Sequence, residues 1–213
     1  MILDKSIDSS NMFKSIYDFP FQMNEAKSIG ERIDLKNTYE NVQNIVLCGM
    51  GGSAIGGDLS RSLVNDSLTV PIFVNRNYSL PNWVNSNSLV IASSYSGNTE
   101  ETLSAYHEAI SKGAKVIGVT TGGKLASLLD KNNNEKVLIP AGLQPRAAVA
   151  FSFIPLLYLL KKLSVTNSKA LDELDAAIEK IQSVNDIYSL DNEKNPTYAL
   201  AKEIYRTIPV IYG

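Results

Sequence analysis

Of the side chains that most often hold metals, the 213 residues contain one cysteine, Cys48, and one histidine, His107. A single thiol excludes a disulfide framework and any zinc site built on paired cysteines. An excess of one charge sign is also missing. Twenty basic and 22 acidic side chains leave a net charge of −2, so the chain as a whole has no electrostatic pull toward nucleic acid or an anionic membrane. Long hydrophobic runs are absent too. The most apolar stretch, residues 147–160, is interrupted by Ser152 and Pro155 and runs into Lys161 and Lys162, too short and too polar to span a bilayer. The opening MILDKSIDSSNMFKSIYDF lacks the basic start and apolar run of a signal peptide. A cytoplasmic location is therefore expected. The chain does have ordinary globular composition, 44% hydrophobic and 20% charged, enough for a sizeable core in one or two domains.

The apolar pattern alternates between two periods. Residues 1–23 read as an irregular or partly helical lead-in closed by Phe19, Pro20 and Phe21. Ala26, Ile29, Ile33 and Leu35 follow with mostly helical spacing. Ile45–Cys48 is a short unbroken apolar run, the mark of a strand buried on both faces, and a glycine cluster and a helix from Ser53 to about Val64 come next. VPIFVN (70–75), SLVIASS, AKVIGV and EKVLIP supply four more strands. A helix ending at Gly113 and a short one over KLASLLD lie between the later ones. Arg146 opens a long apolar helix to about Leu163. Strands alternating with helices predict a parallel sheet of five strands covered on both sides, an α/β three-layer sandwich, with right-handed connections.

After residue 165 the pattern changes. An amphipathic helix carries Leu171, Leu174, Ile178 and Ile181 on one face, and a second begins at Asn195–Pro196. IPVIYG then reads as a new buried strand. Such a strand needs neighbours for its backbone, so these residues are expected to begin a second α/β unit. The organisation predicted is residues 1–165 as the first unit, 166–207 as linking helices, and 208–213 as the start of the second.

Ligands of an open parallel sheet bind beyond the carboxyl ends of its strands, where three polar segments fall. GMGGSAIGG (49–57) lets the backbone approach a ligand, and Ser53 lies where a helix begins, an anion site by virtue of free N–H groups and the helix dipole. The same glycines would serve a tight turn with no ligand, and Gly49, Gly51 and Ala54 also fit the dinucleotide pattern GxGxxG/A. In SSYSGNTEET (93–102), Ser94, Ser96 and Thr99 place three hydroxyls at a strand–helix junction. Gly97 frees the turn and Asn98 suits a helix cap. Hydroxyls and backbone N–H groups suit a phosphate monoester, although Ser96 or Thr99 capping the helix would use the same donors. Glu100 and Glu101 suit the first helical turn as dipole partners. In LQPRAAVAF, Arg146 stands before an apolar run and calls for an anion, either an acidic side chain or charge developing on a substrate.

Together and in this order, GMGGSAIGGDL (49–59), SSYSGNTEET (93–102) and PAGLQPRAAVA (140–150) resemble the sugar isomerase (SIS) domain, and more narrowly the bifunctional phosphoglucose/phosphomannose isomerases. The resemblance runs over roughly residues 20–213. It implies an aldose–ketose isomerase that interconverts glucose 6-phosphate or mannose 6-phosphate with fructose 6-phosphate. The reaction passes through an enediol, with no cofactor and no metal. The sugar's phosphate falls to Ser53, Ser94, Ser96 and Thr99 with the adjacent Gly51 and Gly52, and stabilisation of the enediolate falls to Arg146. The resemblance also implies a homodimer, with a sugar phosphate rather than nucleic acid or membrane as partner.

One departure stands out. The family's glutamate base, its ring-opening histidine and a late lysine belong to the second SIS unit, after the strand expected over residues 208–213. Glu203 precedes the base position, and His107 reads as a surface or half-buried residue of a helix. The expectation is a chain that binds sugar phosphate and turns over little or nothing. Two other readings remain: a non-catalytic sugar-phosphate sensor, for which no DNA-reading helix-turn-helix is evident, and a nucleotide-dependent oxidoreductase. The latter expects an acidic residue where the second strand instead ends Val74-Asn75-Arg76, and it gives the serine-rich loop no role.

Overall fold

The computed structural model describes residues 7–190 and 192–210. Two helices, α1 (Met12–Tyr17) and α2 (Phe19–Glu31), precede the sheet. The second starts earlier than its apolar spacing suggests, because Pro20 sits in its first turn, where a missing N–H costs nothing. Five strands follow: β1 (Asn44–Cys48), β2 (Ile72–Asn75), β3 (Ser88–Ser94), β4 (Lys115–Thr120) and β5 (Glu135–Leu138). Between and after them come α3 (Gly52–Val64), α4 (Glu100–Ser111), α5 (Gly123–Lys131) and α6 (Val149–Lys162).

All strand pairs are parallel, in the order β2-β1-β3-β4-β5. The period of two then divides the core. Ile45, Leu47, Leu89, Ile91, Ile117 and Val119 join Met23 and Ala26 of α2 and the apolar side of α6. Their sequence neighbours Val46, Cys48, Val90, Ala92 and Val116 face the other way, onto Tyr106 of α4 and Leu125 and Leu129 of α5. The expected three-layer α/β sandwich is therefore present. Helix α6 lies against α2 and α3 and buries Phe151, Ile154, Leu156, Leu157, Leu159 and Leu160. That explains why it is apolar nearly all round and outweighs the hydrogen bond lost at Pro155. Its contact with α3 is close because small residues line it, and Ser60 Oγ lies 3.2 Å from the Phe153 carbonyl.

Strand order reverses between β1 and β3, since the chain goes outward to β2 and then crosses back. That reversal is the switch point at which doubly wound sheets open a crevice.

The C-terminal part differs from expectation in two places. The amphipathic helix is two helices, α7 (Lys169–Asp172) and α8 (Leu174–Tyr188). Its expected face does meet the core, with Leu174 and Ile178 buried and Leu171 and Ile181 packed beside them. Helix α9 (Pro196–Ile204) buries none of its residues. The expected strand is not formed over residues 208–210, which are exposed. They pair with neither edge strand, and without a partner an extended segment has no ladder to join. Residues 211–213 lie outside the described residues.

Candidate functional site

The loops leaving β1, β3 and β5 meet over the switch point, and hydrogen bonds join them. The Tyr95 N–H donates to Ser53 Oγ at 3.2 Å, linking the second loop to the first. The Leu143 N–H donates to the Tyr95 hydroxyl at 3.0 Å, linking the third to the second. The third loop also lies directly on the first turn of α3, where a Cβ at Gly52 would stand 2.6 Å from the Pro145 carbonyl oxygen. Only glycine permits that approach. The segments singled out from the sequence are thus brought to one place.

Within it the predicted residues differ in access. Ser53 and Ser94 are buried, Thr99 is half-buried, and Ser96 and Gly51 are exposed. Ser94 Oγ and Thr99 Oγ1 lie 2.8 Å apart. Thr99 occupies the N-cap position of α4, yet its side chain makes no capping bond, and Gly51 offers none to α3. Two helix starts therefore point N–H groups and the positive ends of their dipoles at the crevice without a side chain to satisfy them. Asn98, expected to cap a helix, caps a different one: its Oδ1 accepts the Lys124 N–H at the start of α5. Glu100 and Glu101 stand in the first turn of α4 as expected.

Arg146 lies in a single 3-10 turn, Pro145–Ala147, one turn ahead of α6. It is exposed and, among the described residues, has no carboxylate within ion-pair distance. Of the two anions considered for it, the acidic side chain is therefore not found. Arg76, by contrast, is paired with Asp58, so it does not offer a free guanidinium to a 2′-phosphate. His107 is exposed on α4 with its ring edge-on to Tyr106.

Two features were missed in the sequence. The first is the β4–α5 loop, residues 120–124, which clamps the serine loop from the far side. The Thr121 N–H reaches the Tyr95 carbonyl at 3.2 Å and the Leu125 N–H reaches the Gly97 carbonyl at 2.9 Å. Paired glycines directly after a strand were the available signal. The second is Tyr95, which lies between two serines that drew attention to themselves. An aromatic hydroxyl in a buried loop has to find a partner, and that requirement could have marked it. Burial raises the Tyr95 phenol above its ordinary value, partly offset by the Leu143 N–H, so it stays protonated at neutral pH. Burial also pushes the Cys48 thiol up to about 12, which leaves it a neutral core side chain and not a nucleophile. Among the described residues no group of three or more His, Cys, Asp or Glu side chains is placed to hold a metal ion, and no helix is long and apolar enough to cross a membrane.

Hydroxyls, uncapped helix N-termini and one unpaired guanidinium at the carboxyl end of the sheet suit an oxyanion of the phosphate type. No family model matches the chain. In solved structures its fold matches the C-terminal domain of glucosamine-fructose-6-phosphate aminotransferase from Francisella tularensis, with a TM-score of 0.62 and 17% identity. That match covers 91% of this chain and 57% of the other. The chain is thus a doubly wound α/β protein with the fold of the sugar isomerase (SIS) domains.

Sequence narrows this further: its curated homologues include bifunctional phosphoglucose/phosphomannose isomerases. The protein of that name from Caldicellulosiruptor bescii is 45% identical over 204 residues, which is 95% of this chain and 60% of the relative. The one from Thermoplasma acidophilum is 37% identical over 195 residues, 89% of this chain and 56% of the relative. The chain spans a little over half the length of these relatives.

Proposed function

We propose that this chain binds the phosphate of a hexose phosphate at the switch point and serves an aldose–ketose isomerisation between glucose 6-phosphate or mannose 6-phosphate and fructose 6-phosphate. The observation that carries this reading is the convergence of Ser53, the Ser94–Thr99 loop and the Arg146 turn over the two uncapped helix starts. The exposed hydroxyl of Ser96, that of Thr99, and the N–H groups of Gly52 and the first turn of α4 are the phosphate donors. Ser53 and Ser94 hold the loops from behind. Arg146, with no partner of its own, faces the negative charge that develops when a proton leaves the carbon next to the carbonyl. Oriented positive charge there lowers the barrier.

Moving that proton between C1 and C2 needs a base within hydrogen-bond reach. On this reading the base is not one of these residues, so turnover by them alone is expected to be slight. A homodimer in the cytoplasm, acting in carbohydrate metabolism, belongs to the same reading.

Titration of the purified chain by calorimetry tests it, with fructose 6-phosphate as ligand and fructose, inorganic phosphate and NADP as controls. Saturable binding that needs both sugar and phosphate supports the site. Binding of NADP and not of the sugar phosphate would overturn it.

A further inference from the structure

Tyr95 touches each of the other loops of the cradle. Its N–H donates to Ser53 Oγ, its carbonyl accepts the Thr121 N–H, and its phenol oxygen accepts the Leu143 N–H. The first two bonds belong to the backbone and would survive any side chain. Only the third depends on this residue being tyrosine.

That third bond is the sole hydrogen bond, among the described residues, tying the segment between Ile139 and α6 to another element. The Ile139 N–H is bound to Thr120, and the later ones at Ala147 and Ala148 are local to the turn. Leu143 lies three residues before Arg146. The link between them is stiff, because Pro145 has a fixed φ and holds Gln144 extended, at φ −71° and ψ 141°. Fixing Leu143 therefore fixes where the guanidinium starts. On its other side the turn lies against α3 and α1, where the close Gly52–Pro145 approach excludes inward movement but does not prevent outward movement.

We propose that Tyr95 is a positioning residue of the phosphosugar site, its hydroxyl holding the 140–146 segment so that Arg146 stands over the phosphate cradle. This rests on the phosphosugar reading above. It adds that phosphate binding and recognition of the reacting end of the sugar are separable, and that Tyr95 serves the second.

The test uses Tyr95→Phe, Arg146→Ala and the double variant with two probes. One is inorganic phosphate. The other is a five-carbon aldonate phosphate, whose carboxylate stands in for the planar enediolate. Tyr95→Phe should leave phosphate affinity within about twofold and weaken the aldonate phosphate about fivefold, the worth of one neutral hydrogen bond. In the Arg146→Ala background it should weaken neither further, a non-additive cycle. Amide exchange should quicken at Leu143 and stay unchanged in β1 and β3, which also shows that the variant is folded. Equal loss on both probes, or additive effects, would overturn the proposal. If the unaltered chain binds neither probe, the phosphosugar reading fails first. The Leu143 amide then decides the tether: faster exchange in Tyr95→Phe upholds it, and unchanged exchange overturns it.

Discussion

Helices α4 and α9 both begin at a residue of a good capping type, and the two beginnings are handled in opposite ways. Asn195 accepts the Thr197 N–H on its own side chain at 2.9 Å, so α9 closes its first turn by itself. Thr99 holds the same position on α4, yet its hydroxyl pairs with Ser94 and makes no cap. The surroundings differ in the same sense. The loops around Thr99 contain little apolar surface and are pinned by bonds between β1, β3, β4 and β5 connections. Helix α9 carries Leu200 and Ile204 exposed and is pinned by little. Order at the carboxyl end of the sheet therefore comes from polar ties between loops, and it leaves donors free for a ligand. Order in α9 is local and leaves nothing free.

Gly97→Ala should break this contrast most severely. Gly97 has φ +67°, and a Cβ there would lie 1.9 Å from the Gly122 carbonyl oxygen. A backbone oxygen cannot rotate away, so the serine loop and the β4–α5 loop must separate. The left-handed conformation and the clash together should cost about 3 kcal/mol, or roughly 10 °C in the midpoint of thermal unfolding for a chain of this size. A shift of under about 2 °C, on the same scale, would mean that the two loops are not held together as described.

How much of this was legible beforehand follows from the kind of force involved. The sheet was legible because strands buried on both faces carry unbroken apolar runs such as Ile45–Cys48, and those runs show in one dimension. The Ser53, Ser94–Thr99 and Arg146 segments were legible as residue types at strand ends. Their mutual ties were not, since the Tyr95–Leu143 bond joins residues 48 apart in the chain and leaves no periodic trace. Amphipathic spacing misled in the other direction. It predicts a helix with an apolar face, which α9 has, but it does not say whether anything packs there. For α8 something does, through Leu174 and Ile178. For α9, among the described residues, nothing buries that face.

A milder test acts on Thr99 itself. Thr99→Val keeps the shape and removes the hydroxyl paired with the buried Ser94. A buried hydroxyl left short of a partner should cost about 1–2 kcal/mol in urea unfolding. No capping loss should add to this, because none is made. Phosphate affinity should fall as well, by about fivefold for one lost donor. Unchanged phosphate affinity with reduced stability would make Thr99 a strut of the loop and take it off the donor set.

The smallest effect is expected at Asn195→Ala. Removing a helix cap costs about 1 kcal/mol where the helix is part of the cooperative fold. Here α9 adds no buried residue to the core, so its opening is expected to be separate from global unfolding. The urea midpoint should therefore stay where it is, while amide exchange in the first turn of α9, at Thr197 and its neighbours, quickens about fivefold. Asn195 also donates to the Tyr188 and Leu190 carbonyls at 2.7 and 3.0 Å, so the end of α8 should loosen with it. If the midpoint instead falls by the full cap energy, α9 belongs to the same cooperative unit as the sheet. The two helix starts would then differ only in whether a side chain satisfies them.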